Sequence, residues 1–243
     1  MCAHAVCDHM RGGNLLVLYT THVVCGRLAL AFFRLGCIVH FHPARAMHSP
    51  TWRHWRAAQH LLAYLKGAID EKLIYRKSPD VSHDNFGFLG YADSEKSTKG
   101  WIFTVNNVAI SWRSRKQPLL ADSTSAAELM AATDASKHNV WLRRLFADLG
   151  FPQHQPTPVF EDNESCIKLS RNYCAHNRVK HIDLREMLVR EHHRRNPTEL
   201  VPVPTAFQLA DPLTKTLSGP VVREFRDWAL RGRLPAGASD YAA

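Results

Sequence analysis

The chain has 243 residues, 45% of them hydrophobic, with a formal charge of +9 and a pI of about 9.5. Such a composition can bury a real core and excludes a disordered chain. Its 31 basic residues, spread along the sequence, favour a polyanionic partner such as nucleic acid. The six cysteines form no CxxC pair and read as free thiols of a reducing compartment, so an intracellular protein, cytoplasmic or nuclear, is expected.

Taken in chain order, Met1 to His9 interleaves Cys2 and Cys7 with His4 and His9, but without the spacing of a zinc finger. Leu15 to Phe41 is the most apolar run, yet His22, Arg27 and Arg34 interrupt it. Each central arginine would cost roughly 2.5–3.5 kcal/mol in a bilayer. With no clear cleavage site either, neither a membrane span nor a signal peptide is expected.

Ser49-Pro-Thr51 reads as a helix start. Trp55, Ala58, Leu61, Leu62 and Leu65 recur at helical spacing up to Gly67, which predicts an amphipathic helix packing that stripe on a core. Lys72 to Arg76 reads as a strand, and the polar stretch Ser78 to Asp84 as a boundary between two parts of the chain.

The second part opens with Phe86 to Asp93, a largely apolar strand that delivers a carboxylate at its end. Trp101 to Val105 and Val108 to Trp112 follow as strands joined at Asn106-Asn107, a pair that tolerates the positive φ of a tight hairpin. Ser114 to Pro118 reads as a basic exit loop. A helix is predicted from about Thr124 to Leu149, ended by Gly150 and Pro152, with Glu128 in its first turn. An acid there is favoured by the helix dipole whatever else it does. Asp162 follows the strand Thr157 to Glu161 and, taken alone, reads as a cap of the next helix.

Lys180-His-Ile-Asp-Leu-Arg185 opens a helix to about His193, and Glu199 to Val203 reads as a last strand, with Pro202 where no ladder donor is needed. Gln208 to Lys215 is predicted to be a helix bearing Asp211, with Pro212 in its first turn. Pro220 starts a final helix with Val221, Val222, Phe225, Trp228 and Ala229 inward, and the chain beyond it is expected to be loose.

This order predicts a mixed α/β sheet flanked by helices, with Asp93, Glu128, Asp162 and Asp211 at strand ends or helix starts. Two unit charges at 4 Å repel by about 4 kcal/mol at an effective dielectric of ~20, so four acids meeting there need cations. Magnesium suits all-oxygen ligation, and two such ions can activate water and stabilise a leaving oxygen in phosphodiester cleavage.

The segments Gly90-Tyr-Ala-Asp93, Lys96-Ser-Thr98 with Gly100, Ile110-Ser-Trp112, and Ser123-Thr124 with Ala127-Glu128 carry a resemblance. So do Trp141-Leu-Arg-Arg-Leu145, Asp162-Asn-Glu-Ser165, Lys180-His-Ile-Asp183, Val203-Pro-Thr205 and Gln208 to Lys215. In this order they resemble the ribonuclease H domain of copia-type retrotransposon Pol polyproteins. Upstream, Ser49-Pro-Thr51, His54-Trp55 and Tyr64-Leu-Lys-Gly67 are similar to the end of the reverse transcriptase in the same polyproteins, although no YxDD polymerase motif occurs.

The resemblance implies a ribonuclease H-like fold over residues 86–232, a degenerate reverse-transcriptase remnant over 1–80 forming a partly helical N-terminal extension, and a disordered tail over 233–243. The chain then looks like a C-terminal polyprotein fragment. The implied activity is metal-dependent cleavage of the RNA strand of an RNA–DNA hybrid. Asp93 would bridge two magnesium ions, with manganese as a substitute; Glu128 and Asp162 would hold one ion and Asp211 the other. Candidate contacts to the hybrid are Asn163, Arg113, Arg115 and Lys116, and the rest of a reverse transcriptase is a further partner.

The sequence departs from the family at two places in this region. Only Ser94 to Lys99 separates Asp93 from Gly100, where the family carries a longer tract, and Ala126 stands where an acid is usual. Side chains alternate along a strand, so a shortened connection could turn Asp93 away from the other acids. The alternative reading is therefore a catalytically inactive, basic nucleic-acid-binding remnant with the same fold. His181 is the available histidine near the last acids in sequence, with capping or packing as its plainer role.

Overall fold

The computed structural model describes residues 49–75, 87–95, 98–117, 123–171 and 197–238. The elements are α1 (Trp52–Gly67), β1 (Phe88–Glu95), β2 (Thr98–Val105), β3 (Val108–Lys116), α2 (Thr124–Asp148), β4 (Thr157–Glu161), α3 (Glu164–Arg171) and β5 (Thr198–Pro202). A 3-10 turn (Thr205–Phe207), the short helix α4 (Asp211–Thr214) and α5 (Gly219–Arg231) complete them. The Cys2–His9 cluster, the apolar run, the Ser78–Asp84 boundary, His181 and the helix expected from Lys180 all lie outside the described residues.

The strands form one sheet in the order β3-β2-β1-β4-β5. Strands β1, β2 and β3 run antiparallel, and β4 and β5 join parallel to β1. Asn106 and Asn107 make the hairpin turn at φ 49° and 65°, the left-handed pair that matches the twist of two antiparallel strands. Ser123 caps α2 by accepting a hydrogen bond from the Ala126 N–H at 3.1 Å, which satisfies one of the free donors of the first turn.

Alternation along each strand gives the sheet two apolar faces. Phe88, Ala92, Trp101, Phe103, Val159 and Leu200 meet Leu129, Ala132, Ala135 and Leu142 of α2. The alanines let this helix lie close to the strands. On the other face Leu89, Tyr91, Ile102 and Phe160 pack with Leu209, Leu213, Phe225 and Trp228. Fully burying one such large apolar side chain contributes about 1.5–3 kcal/mol.

Several expectations change. The basic loop from Ser114 is strand as far as Lys116, because β2 begins early enough to pair Thr98 with Lys116. Lys72 to Tyr75 is no strand: the Ile74 N–H donates to the Leu230 carbonyl at 2.8 Å and the Tyr75 hydroxyl donates to the Ala109 carbonyl at 2.7 Å. Trp55 and Leu62 of α1 are 55% and 63% exposed, so these members of the stripe do not pack on a core as expected. Val221 also points outward, whereas Val222, Phe225, Trp228 and Ala229 are buried. Beyond α5, Leu234 packs against the core and Ala238 is buried, so residues 233–238 are not a loose tail. Among the described residues, no helix is long and apolar enough to cross a membrane.

Candidate metal centre

The site lies where β1 and β4 part. Their parallel ladder holds at Gly90–Val159 and Tyr91–Phe160. Beyond it Gln208, fully buried, donates from its amide to the Ala92 carbonyl at 2.8 Å and to the Phe160 carbonyl at 3.3 Å. Its amide N–H groups thus serve a carbonyl of each strand just where the ladder between them has ended. Asp93 and Asp162 follow immediately, at the carboxyl ends of parallel neighbours, where open α/β sheets form their crevices.

Ligand oxygens of Asp93, Glu128 and Asp162 all lie within 4.8 Å of one another. Asp93 therefore faces the other acids despite the short connection after it, because β1 and β2 stay in register from Phe88–Val105 to Glu95–Thr98. Glu128 comes from the fifth position of α2 rather than its first turn, which spans no acid. Asp162 is free of the capping duty considered for it: Asn163 caps α3, its Oδ1 accepting from the Cys166 N–H at 3.1 Å.

Asp211 enters from the start of α4, and Lys215 connects it to the others. The Lys215 ammonium lies 2.7 Å from Asp211 Oδ1 and 3.1 Å from Asp93 Oδ1. The other oxygen of Asp93 accepts a short hydrogen bond from the Thr214 hydroxyl. Gly100 makes this approach possible, since a Cβ there would meet Leu213 Cβ at 2.8 Å and Thr214 Cγ2 at 2.9 Å. Ser114 Oγ fastens the same helix by donating to the Leu213 carbonyl at 2.6 Å.

Burial and crowding set the electrostatics. Burial pushes the Asp93 carboxyl up, against the pull of Lys215 and the Thr214 hydroxyl. Glu128 is pushed up to about 9, first by burial and then by the charges of Asp93 and Asp162. Asp211 is pushed up to about 7 by burial and Asp93, with Lys215 opposing. Burial alone would lower Lys215, but Asp93 and Asp211 outweigh it and the ammonium is held above its usual range.

Glu161 is a member of this group that the sequence reading does not single out. It is fully buried beside the other acids, its Oε1 accepts from the Asn163 N–H at 3.2 Å, and burial followed by the Glu128 charge raises its pKa well above the carboxylate range. Its position one residue before Asp162 is the available signal. Lys215 and Thr214 enter the sequence reading only within a matching segment; nothing local in the sequence ties them to Asp93.

The donor set fits a hard cation. Glu128 Oε2 and Glu161 Oε2 are buried oxygens without a hydrogen-bond partner, and an orphaned carboxylate oxygen inside a protein is costly unless a cation or proton reaches it. Magnesium takes such oxygens at about 2.0–2.1 Å, so the three carboxylates would draw closer together around an ion.

The proposed hybrid contacts lie apart in character. Arg113, Arg115 and Lys116 are exposed on β3, with Arg115 opposite Lys99 and Lys116 opposite Thr98. Arg113 bears on His138, which burial and then this arginine lower to about 4. His138 stacks on Trp101 at 4.1 Å and on the exposed Trp141 at 5.2 Å.

The sheet order, the antiparallel β1–β2–β3 meander, the parallel β4 and β5, and acids at the splayed strand ends define an α/β domain of the ribonuclease H-like kind. No protein-family model matches the chain. It is 35% identical over 176 residues, 72% of its length, to the retrovirus-related Pol polyprotein from transposon TNT 1-94 of Nicotiana tabacum. The chain is thus a homologue of one segment of the Pol polyproteins of copia-type transposons, and it spans only 13% of the length of the tobacco protein. It is also 32% identical over 96 residues to the secreted RxLR effector protein 161 of Plasmopara viticola, which covers 38% of this chain and 68% of that protein. A solved foamy viral protease-reverse transcriptase dRH in complex with ds DNA aligns with 76% of this chain and 34% of its own. Its identity is 12% and its TM-score 0.32, too distant a likeness to bear on the site.

Proposed function

We propose that this domain is a metal-dependent endoribonuclease that cuts the RNA strand of an RNA–DNA hybrid. The observation that supports it most is the convergence of Asp93, Glu128 and Asp162 within 4.8 Å, with a buried Glu128 oxygen left unpartnered. Asp93, Glu128 and Asp162 would hold a magnesium ion, with Asp211 completing the acidic set. When bound, the ion supplies activation of a water and stabilisation of the leaving oxygen.

The chain's own residues do the positioning. Thr214 fixes the Asp93 rotamer, the Ser94 N–H supports one side of Glu128, and Gln208 keeps β1 and β4 apart at the site's floor. Arg113, Arg115, Lys116 and Asn163 are proposed to meet backbone phosphates, with 2′-hydroxyl groups distinguishing RNA from DNA. Residues 86–232 are the proposed nuclease unit and 1–80 the proposed reverse-transcriptase remnant.

The test is cleavage of a labelled RNA–DNA hybrid by the full chain with Mg²⁺ or Mn²⁺, beside Asp162→Asn. Cleavage of RNA alone, lost in the variant, is expected. A parent chain that binds the hybrid but leaves it intact under every metal condition would establish the inactive nucleic-acid-binding remnant instead.

A further inference from the structure

We propose that the Lys215 ammonium is the built-in second cation of this site, so that the site takes one divalent ion, between Asp93, Glu128 and Asp162, rather than two. This rests on the metal-dependent reading above and deepens it.

The four acids are not equivalent in what neutralises them. Asp93, Glu128 and Asp162 group closely enough to share an ion, and Asp211 is not in that group. Asp211 instead shares a cation with Asp93 already: Nζ of Lys215 stands 2.7 Å from one carboxylate and 3.1 Å from the other. A magnesium ion bridging the same two oxygens at about 2.0–2.1 Å would need the space that Nζ fills. The two cations exclude one another.

The ammonium is well held there. Lys215 follows Asp211 by four residues, its N–H donates to the Asp211 carbonyl at 2.8 Å, and its side chain is only 24% exposed. Both carboxylates it joins are buried, so these charge-assisted bonds are not screened as surface pairs are. Magnesium, by contrast, sheds water reluctantly. Gly100 and Ser114 seat α4, which Lys215 directly follows, so leaving would mean breaking both ion pairs.

Ion stoichiometry decides this without relying on turnover. The full chain and its Lys215→Met and Lys215→Arg variants are titrated with Mn²⁺ by calorimetry, and bound ions are counted by electron paramagnetic resonance. One ion per chain is expected for the parent and for Lys215→Arg, and two for Lys215→Met, whose vacated position between Asp93 and Asp211 becomes available. Two ions in the parent would overturn the proposal while leaving the metal-dependent reading intact. No bound ion in the parent would overturn both. Should Lys215→Met fail to fold, the parent's stoichiometry alone decides between one ion and two.

Discussion

The two halves of the acidic site solve the same electrostatic problem differently. On the side of Asp211, the chain supplies its own cation and a hydroxyl, Lys215 and Thr214, from the last residue of α4 and the one after it. On the side of Glu128 and Asp162, it leaves a buried oxygen without a partner. A self-neutralised half is a stable piece of structure, whereas the other half is complete only with something from outside. The contrast locates where binding energy can be gained.

The largest effect should come from the residue the halves share. Asp93→Asn keeps the shape but removes the charge, and hybrid cleavage is expected to fall by about 10²–10³-fold, the scale of losing one electrostatic stabiliser. Circular dichroism should show the fold unchanged; wild-type rates would break the comparison at its centre. Next, Lys215→Met strips the compensated half. Removing one member of a buried pair costs about 3–5 kcal/mol, and the partial exposure of Lys215 places the expected loss near ~3 kcal/mol in urea unfolding without metal. An unchanged midpoint would show that the half is not self-neutralised.

Gly100→Val wedges a side chain between β2 and α4, where a Cβ alone would meet Leu213 at 2.8 Å. Overpacking of this kind costs about 1–3 kcal/mol. Ion binding by Asp93, Glu128 and Asp162 should survive it, which sharpens the distinction; loss of ion binding with an intact fold would erase it.

The most gradual effect is a pH slope. Glu128 is raised to about 9 and Asp211 to about 7, so between their ordinary range near pH 4–5 and those values the folded chain binds more protons than the unfolded chain. Metal-free stability should therefore fall as pH rises from about 5 to 8, by at most about 1.4 kcal/mol per pH unit for each group within its window. Lys215 contributes no slope there, because its raised value changes occupancy only above its ordinary alkaline range. Melting temperatures with and without Mg²⁺ across this range check the sign: stability that rises with pH in the metal-free chain would refute the assignment of Glu128 as buried and uncompensated.

Much of this is legible in the residues. The Asn106-Asn107 turn, the strand that presents Asp93, the α2 span and the first-turn position of Pro212 in α4 follow from short-range rules of φ, capping and ring geometry. Less legible is anything that depends on a remote partner. Amphipathic spacing names the apolar face of α1, but it cannot say whether a core awaits it, and Trp55 remains exposed. Lys72 to Tyr75 reads as a strand because Leu73-Ile-Tyr75 is a short apolar run, and the fold does partly cover it, but its hydrogen bonds go to α5 and to Ala109. Lys215 escapes for the same reason: its i,i+4 relation to Asp211 is visible, but its contact with Asp93 spans 122 residues. Even the shortened tract after Asp93 leaves the carboxylate in place, since β1 and β2 pair without a slip of register from Phe88–Val105 to Glu95–Thr98.

Gln208 bears on how the protein is made. Its amide reaches back 116 residues to Ala92, and Thr214 and Lys215 reach Asp93 across 121 and 122. Closing such long loops is entropically costly and comes late in folding. During synthesis the first strand, its hairpin and α2 can associate while the wedge between β1 and β4 is still untranslated. The acidic pocket is therefore among the last features to mature, and a chain that stops before Gln208 carries three of the acids without the parts that hold them in place.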